Sequence, residues 1–218
     1  SCGSTPSPVS SGSGGRSSSG DASQRISNGV SSLIDSITKP TGSFHFSYTG
    51  QENVNLKFPQ EAGSKPQLGT VDVQADITPD QLSITSNRAG QKTEAKAKKG
   101  DELAWATSQL EVMGPLMGVS FALAFGGVSA ESAGWDGIGG LTADKYAMDT
   151  SNASATNKMA LEMASGLLGG KVKIDSVKGA VWLDRATGRM VKLNLDTALS
   201  DKDGNAWKEH HEMVLTPR

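Results

Sequence analysis

VMGPLMGVSFALAFGGVSA, residues 112–130, is the stretch whose reading decides the fold. It runs nineteen residues without a charge between Glu111 and Glu131, and twelve of them are apolar, so something must cover it. Three readings are open. A membrane span needs about 20 mostly apolar residues, a length this run barely reaches. Pro115, the Gly126-Gly127 pair and ends without a basic cluster or aromatic belt weigh against spanning. A buried core helix is the second reading. The third is a helix lining an apolar pocket, its glycines and methionines forming an adaptable wall.

Upstream of this run the sequence alternates with period two. Phe44, Phe46 and Tyr48 alternate with the polar Ser43, His45 and Ser47, and Leu56 and Phe58 follow beyond a turn. Val71, Val73, Ala75 and Ile77 come next, then Leu82 and Ile84 after Thr78-Pro79-Asp80. Such alternation predicts an antiparallel sheet with one covered face and one wet face. Lys92–Lys98 offers only Ala95 and Ala97 to the interior, and Gly100-Asp101 leads on to Leu103 and Trp105. Before the sheet, Ile26, Val30, Leu33, Ile34 and Ile37 recur every three or four residues, predicting a helix over 21–38 with Ser27, Gly29, Ser31 and Ser32 facing away.

Downstream, 126–140 reads as a glycine-rich loop carrying Trp135 and Ile138, a candidate mobile rim. A short strand is expected at 145–149. A helix over 154–168 would stack Met159, Met163 and Leu167 beside Ala160, Ala164 and Leu168. The end of the chain is the clearest sheet: 180–184, 189–197 and 207–215, the last two joined by a turn at 201–205 whose Asp203-Gly204 is a hairpin signal.

The 218 residues suffice for one core or two small ones, and a net charge of −2 without basic blocks gives no electrostatic reason to bind nucleic acid. From Gly3 to Gly20 the chain is almost wholly Gly, Ser, Thr and Pro, which predicts a flexible tether over 1–20 and a single domain over 21–218. The only cysteine is Cys2, so no internal disulfide forms.

Several chemical leads fail on spacing. Asp201, Asp203, Asn205 and Glu212 mimic a calcium loop, but Ala206 replaces the glycine of the sharp turn. His210 and His211 are neighbours in a strand and point to opposite faces, which suits no single metal. No phosphate loop, dinucleotide fingerprint or nucleophile elbow is present. The expectation is no catalytic residue, no metal and no cofactor.

The order of elements, together with Gly179-Ala180-Val181-Trp182-Leu183-Asp184, Thr187-Gly188-Arg189, Val191-Lys192-Leu193 and Lys145-Tyr146, resembles the periplasmic lipoprotein carrier and outer-membrane lipoprotein receptor superfamily, including mycobacterial lipid-binding cell-envelope lipoproteins. The likeness spans about residues 22–217. Ser1-Cys2-Gly3 with the tether resembles a processed lipoprotein and suits the anchored members. The resemblance implies an α+β fold, a strongly curved antiparallel sheet (half-barrel) wrapped around helices with an apolar cavity. It also implies lipidation at Cys2, a membrane partner through that acyl group, and a place in the bacterial cell envelope facing the periplasm or exterior. A cavity lined by Met113, Leu116, Met117, Phe121, Phe125, Met159, Met163 and Trp182 would hold a lipid or acyl chain, and ten buried methylenes at about 0.8 kcal/mol each give roughly 8 kcal/mol before entropic costs. The function expected is a non-catalytic lipid-binding lipoprotein, with envelope proteins as further candidate partners. The alternative is a tethered structural or protein-interaction module with a filled core and no ligand.

Overall fold

A computed structural model describes residues 19–54, 65–126, 129–151, 155–167 and 172–218. Helix α1 (Ser19–Thr38) precedes four strands, β1 (Phe44–Asn53), β2 (Leu68–Ile77), β3 (Gln81–Arg88) and β4 (Gln91–Lys98). Helix α2 (Glu102–Gly126) leads to β5 (Glu131–Ile138) and β6 (Leu141–Asp149). Helix α3 (Ala155–Leu167) and strands β7 (Val172–Asp184), β8 (Met190–Asp201) and β9 (Ala206–Pro217) complete the order. The strands form one antiparallel sheet, β4-β3-β2-β1-β9-β8-β7-β6-β5, in which β9 lies against β1.

This order explains the apolar run. The chain leaves one sheet edge at β4 and must reach the other at β5. Nine strands spaced about 4.8 Å apart put those edges roughly 38 Å from each other, and 25 helical residues at about 1.5 Å each span about 37 Å. As far as Gly126, the run is thus the second part of a long crossover helix. Its start is set by Asp101, whose carboxylate accepts the Ala104 N–H at 3.1 Å as a cap. No helix among the described residues is long and apolar enough to cross a membrane.

The covered face of the sheet takes Phe44, Phe46, Tyr48, Val71, Val73, Ala75 and Ile77, all buried as the alternation predicted, together with Leu193 and Leu195 of β8 and Met213 and Leu215 of β9. Against them pack Ile26, Leu33 and Ile37 of α1, Val112 and Leu116 of α2, and Leu161 of α3. Gly29, expected on the outer side of α1, instead faces inward. An added Cβ there would lie 2.6 Å from Leu183 Cδ2 and 3.1 Å from the Gly188 carbonyl, so glycine lets the helix approach the β7–β8 turn.

The expected half-barrel does not form. The sheet is open, with β4 and β5 as separate edges, neither closed nor strongly curled. Curvature needs bulges or glycine kinks at intervals. Here the register shifts are confined to the β5–β6 and β7–β8 pairs, while β4-β3-β2-β1-β9 pairs without interruption. Nor is an apolar cavity for an acyl chain seen among the described residues, where the inner face is filled by side chains of the three helices. Lipid binding and lipid transport, and the membrane-anchored carrier built on them, therefore lose their structural basis.

The glycine-rich loop expected at 126–140 is also corrected: residues 131–138 form the edge strand β5, bulged between Ser132 and Trp135. Leu56 and Phe58 lie outside the described residues, as does the tether up to residue 18 with Cys2, and α1 begins at Ser19.

The opposite sheet face has a small core of its own, with Ala143, Ala180, Trp182 and Val191 flanked by Ile138 and Leu141. The bulge near Trp182 places both Val191 and Lys192 beside the indole. Lys192 and Lys145 nitrogens stand 4.8 and 5.1 Å from its ring centre, and its N–H donates to Asp136 at 2.7 Å. Trp182→Phe is expected to cost about 1–2 kcal/mol in urea unfolding, through the lost hydrogen bond and weakened cation–π contacts. An unchanged midpoint would show that this back-face cluster contributes nothing.

Candidate functional site

Three features stand out from a fold otherwise built of covered apolar and wet polar positions. The first is the outer side of the helix layer. In α2, Leu103 is 80% and Leu110 66% exposed, while in α3 Met159 is 63% and Met163 59% exposed. Seven residues separate the leucines and four the methionines, so each pair shares one side of its helix. These helices show apolar side chains outward as well as inward.

The cause is visible in how each helix is held. Among the described side chains of α2 the inward positions are Ser108, Val112, Pro115 and Leu116, and Gln109 donates from its amide to the Thr38 carbonyl at 2.8 Å and the Ile37 carbonyl at 3.2 Å, capping α1. For α3 they are Leu161 and Ser165. Ser165 Oγ donates to the Leu161 carbonyl and accepts the Ile174 N–H at 3.0 Å, tying α3 to β7. The methionines are left facing solvent.

The second feature is a chain of polar groups beneath the helices. Trp207, Glu209, His211 and Met213 alternate onto the covered face of β9, opposite Tyr48 and Glu52 of β1. Glu209 accepts the Trp207 indole N–H and the Asn53 backbone N–H, each at 3.0 Å. Its other oxygen stands 3.5 Å from His211 Nε2, which also lies 3.4 Å from the Thr197 hydroxyl. The Tyr48 hydroxyl meets His211 Nδ1 at 2.8 Å and donates to Glu52 at 3.1 Å. A phenol has one proton to give, so with that proton on Glu52 the His211 Nδ1–H donates to the Tyr48 oxygen.

Burial and the charge of Glu52 push the Tyr48 hydroxyl far up, keeping it protonated. Burial also raises the Glu52 carboxyl above the usual carboxylate range, against the lowering pull of His211 and Tyr48. Glu209 behaves oppositely. Burial alone would raise it, but the hydrogen bonds from His211, the Asn53 N–H and Trp207 outweigh burial and hold it low.

The third feature is a polar cleft of about 280 Å³ between α1, β6 and the β7–β8 turn, lined by Arg25, Asn28, Asp144, Tyr146 and Arg185 among others. Arg25 donates to the Tyr146 hydroxyl at 3.3 Å, and Arg185 grips Asp144 through Nε at 2.9 Å and Nη2 at 2.5 Å. Its guanidinium stands 6.0 Å from the ring centre of the exposed Trp135. With each arginine already holding a partner and Asp144 and Asp184 in the wall, the cleft has no surplus charge to attract an ion.

Of the residues expected to line one cavity, those whose side chains are described are not gathered in one place. Leu116 is buried in the main core and Met113 is partly buried against it. Met159 and Met163 face solvent, and Trp182 belongs to the cluster on the opposite side of the sheet. The side chains of Met117, Phe121 and Phe125 lie outside the described residues, although their backbone belongs to α2. The calcium-like cluster is a hairpin turn, in which the Asp201 carboxylate accepts the N–H groups of Asp203 and Asn205 and the Asn205 amide. His210 pairs on the wet face with Asp196 at 2.8 Å, apart from buried His211.

No family model matches the chain, and no curated protein matches it. Among solved structures, it is similar to an N-terminal dehydratase from the difficidin assembly line, at 10% identity and a TM-score of 0.14, over 88% of this chain and 83% of that one. A superposition this loose carries no argument about fold or chemistry.

Proposed function

We propose that the domain is a non-catalytic protein-interaction module that offers the outer side of α2 and α3 to an apolar surface of a partner protein. The observation that carries this is the exposure of Leu103, Leu110, Met159 and Met163 on two helices whose inner sides are already packed. Large apolar side chains held in water favour association, and flexible methionines adapt to the shape they meet. The polar arm before α1 acts in this reading as a spacer.

Two measurements test it. A photoreactive amino acid placed at Leu110, and separately at Met163, is irradiated in the producing cells. A discrete protein adduct is expected from each position and none from Lys178, an exposed residue of β7. Adducts with lipid alone, no adduct at either position, or the same adduct from position 178 would each overturn the proposal. In the purified protein, Met163→Glu is expected to change stability by less than about 0.5 kcal/mol, as for most surface substitutions. A large loss would show instead that Met163 supports the core.

A further inference from the structure

The buried polar chain does not end at Glu52. Arg88 of β3 reaches toward it, with Nη1 at 4.0 Å from Glu52 Oε1, while Nε lies 3.7 Å from Glu111 Oε1 of α2. Strand β2 runs between them, with Gly69 opposite Glu52 and Val71 opposite Arg88, and the Val54 side chain takes the place a Cβ on Gly69 would fill. The guanidinium also lies against α2 itself, since a Cβ on Gly114 would sit 3.4 Å from Arg88 Nη2. Arg88 is thus shared between a carboxylate of the sheet and one of the helix, in close contact with neither.

The turn it touches lacks one helical hydrogen bond. Pro115 has no N–H, so the Glu111 carbonyl lacks its helical donor four residues on. The Glu111 side chain is held by the Ser86 hydroxyl at 2.8 Å, which in turn meets the Thr93 hydroxyl at 2.7 Å.

We propose that Glu52 and Arg88 form an acid-responsive latch that sets how tightly the Glu111 turn of α2 is held to the sheet. With Glu52 ionised, Arg88 is divided between two carboxylates. A proton taken from solvent by Glu52 cancels one attraction, and the guanidinium closes on Glu111. The proton sits on Glu52 Oε1, the oxygen that faces Arg88, while Oε2 goes on accepting from Tyr48, so the hydrogen-bond chain to His211 keeps its direction. Among the described residues, the ionisable groups facing Glu52 are Tyr48 on its own strand, Arg88 on β3, Glu111 on α2, and Glu209 and His211 on β9.

The sign follows from burial. The Glu52 carboxyl is raised in the folded state, so its protonation adds stability as pH falls and is lost as pH rises through the folded value. Mild acid therefore tightens the latch. It stands on its own geometry, whether or not a partner docks on the outer side of α2.

Hydrogen exchange of α2 amides, corrected for intrinsic rates, tests it on the full chain. Between about pH 7.5 and about pH 4.5, protection around Glu111 is expected to rise about two- to fivefold, the range open to a part-exposed ion pair. Glu52→Gln keeps an acceptor for Tyr48 and should show the acid-level protection already at neutral pH, with no further response. Arg88→Gln should show low protection at both pH values. Equal protection of the wild type at the two pH values would overturn the latch. So would a pH response that persists in Glu52→Gln, since another group would then be the sensor. A variant that does not fold leaves the decision to the wild-type profile and the other variant.

Discussion

Gly179→Ala is expected to lower stability by about 3–5 kcal/mol, because overpacking and backbone strain act together. Gly179 sits mid-strand in β7, paired with Leu195 of β8 on one side and Met148 of β6 on the other. Its φ is +144°, a conformation L side chains rarely adopt, and an added Cβ would meet the Asn194 carbonyl oxygen at 2.1 Å and Leu195 Cα at 2.9 Å. Both neighbours are backbone of the paired strand, so relief requires opening the β7–β8 ladder. Gly188→Ala is the control: its φ is +72° with nothing within 4 Å of the new methyl, so strain alone should cost about 1–2 kcal/mol. For a chain of this size the Gly179 variant should melt roughly 6–20 °C lower. Equal midpoints for the two variants would show that β8 yields to the methyl at little cost.

The strands of the sheet were legible because period two survives wherever one face is wet. Phe44, Phe46 and Tyr48, or Leu193 and Leu195, announce their side directly. What misled was the meaning of the apolar run. A helix with apolar residues on every side reads equally as core or pocket wall, and nothing local reveals that it crosses a sheet from β4 to β5. The signal for its start was present in Asp101, a capping residue three before Ala104. The edge strand β5 was hidden by its glycines and by exposure on both faces, which erases alternation.

The methionines misled for a related reason. Spacing of four places Met159 and Met163 on one side of α3 without saying which way that side faces, and Ser165 took the inner position through a hydrogen bond. Trp182 lay in a stretch, Ala180–Asp184, where buried residues on both faces remove the alternation that would have assigned it. The buried polar chain was readable and missed. Glu209 and His211 share the parity of Trp207 and Met213, so an acid and an imidazole were bound to point into the covered face.

That parity leads to the second large effect, at Glu209. Glu209→Leu is expected to cost about 3–5 kcal/mol in urea unfolding, because it strands buried partners rather than merely removing a contact. The Trp207 indole N–H and the Asn53 N–H would lose their acceptor, and His211 Nε2 would lose the nearby carboxylate. Glu209→Gln keeps one oxygen for two of those donors and forfeits only the charge, so about 1–2 kcal/mol is expected. The pH dependence fixes the interpretation. Hydrogen bonds hold the Glu209 carboxyl below its unfolded value despite burial, so its contribution is complete above about pH 5 and fades as pH falls through the lower folded value. The gap between wild type and Glu209→Gln should therefore narrow in acid. Glu52, raised rather than lowered, moves stability the other way over the same range, so the comparison is best made in a Glu52→Gln background, where the remaining slope between the pair belongs to Glu209. A gap that stays constant down to about pH 3 would mean that shape alone, and not the ionised carboxylate, holds β9 against β1.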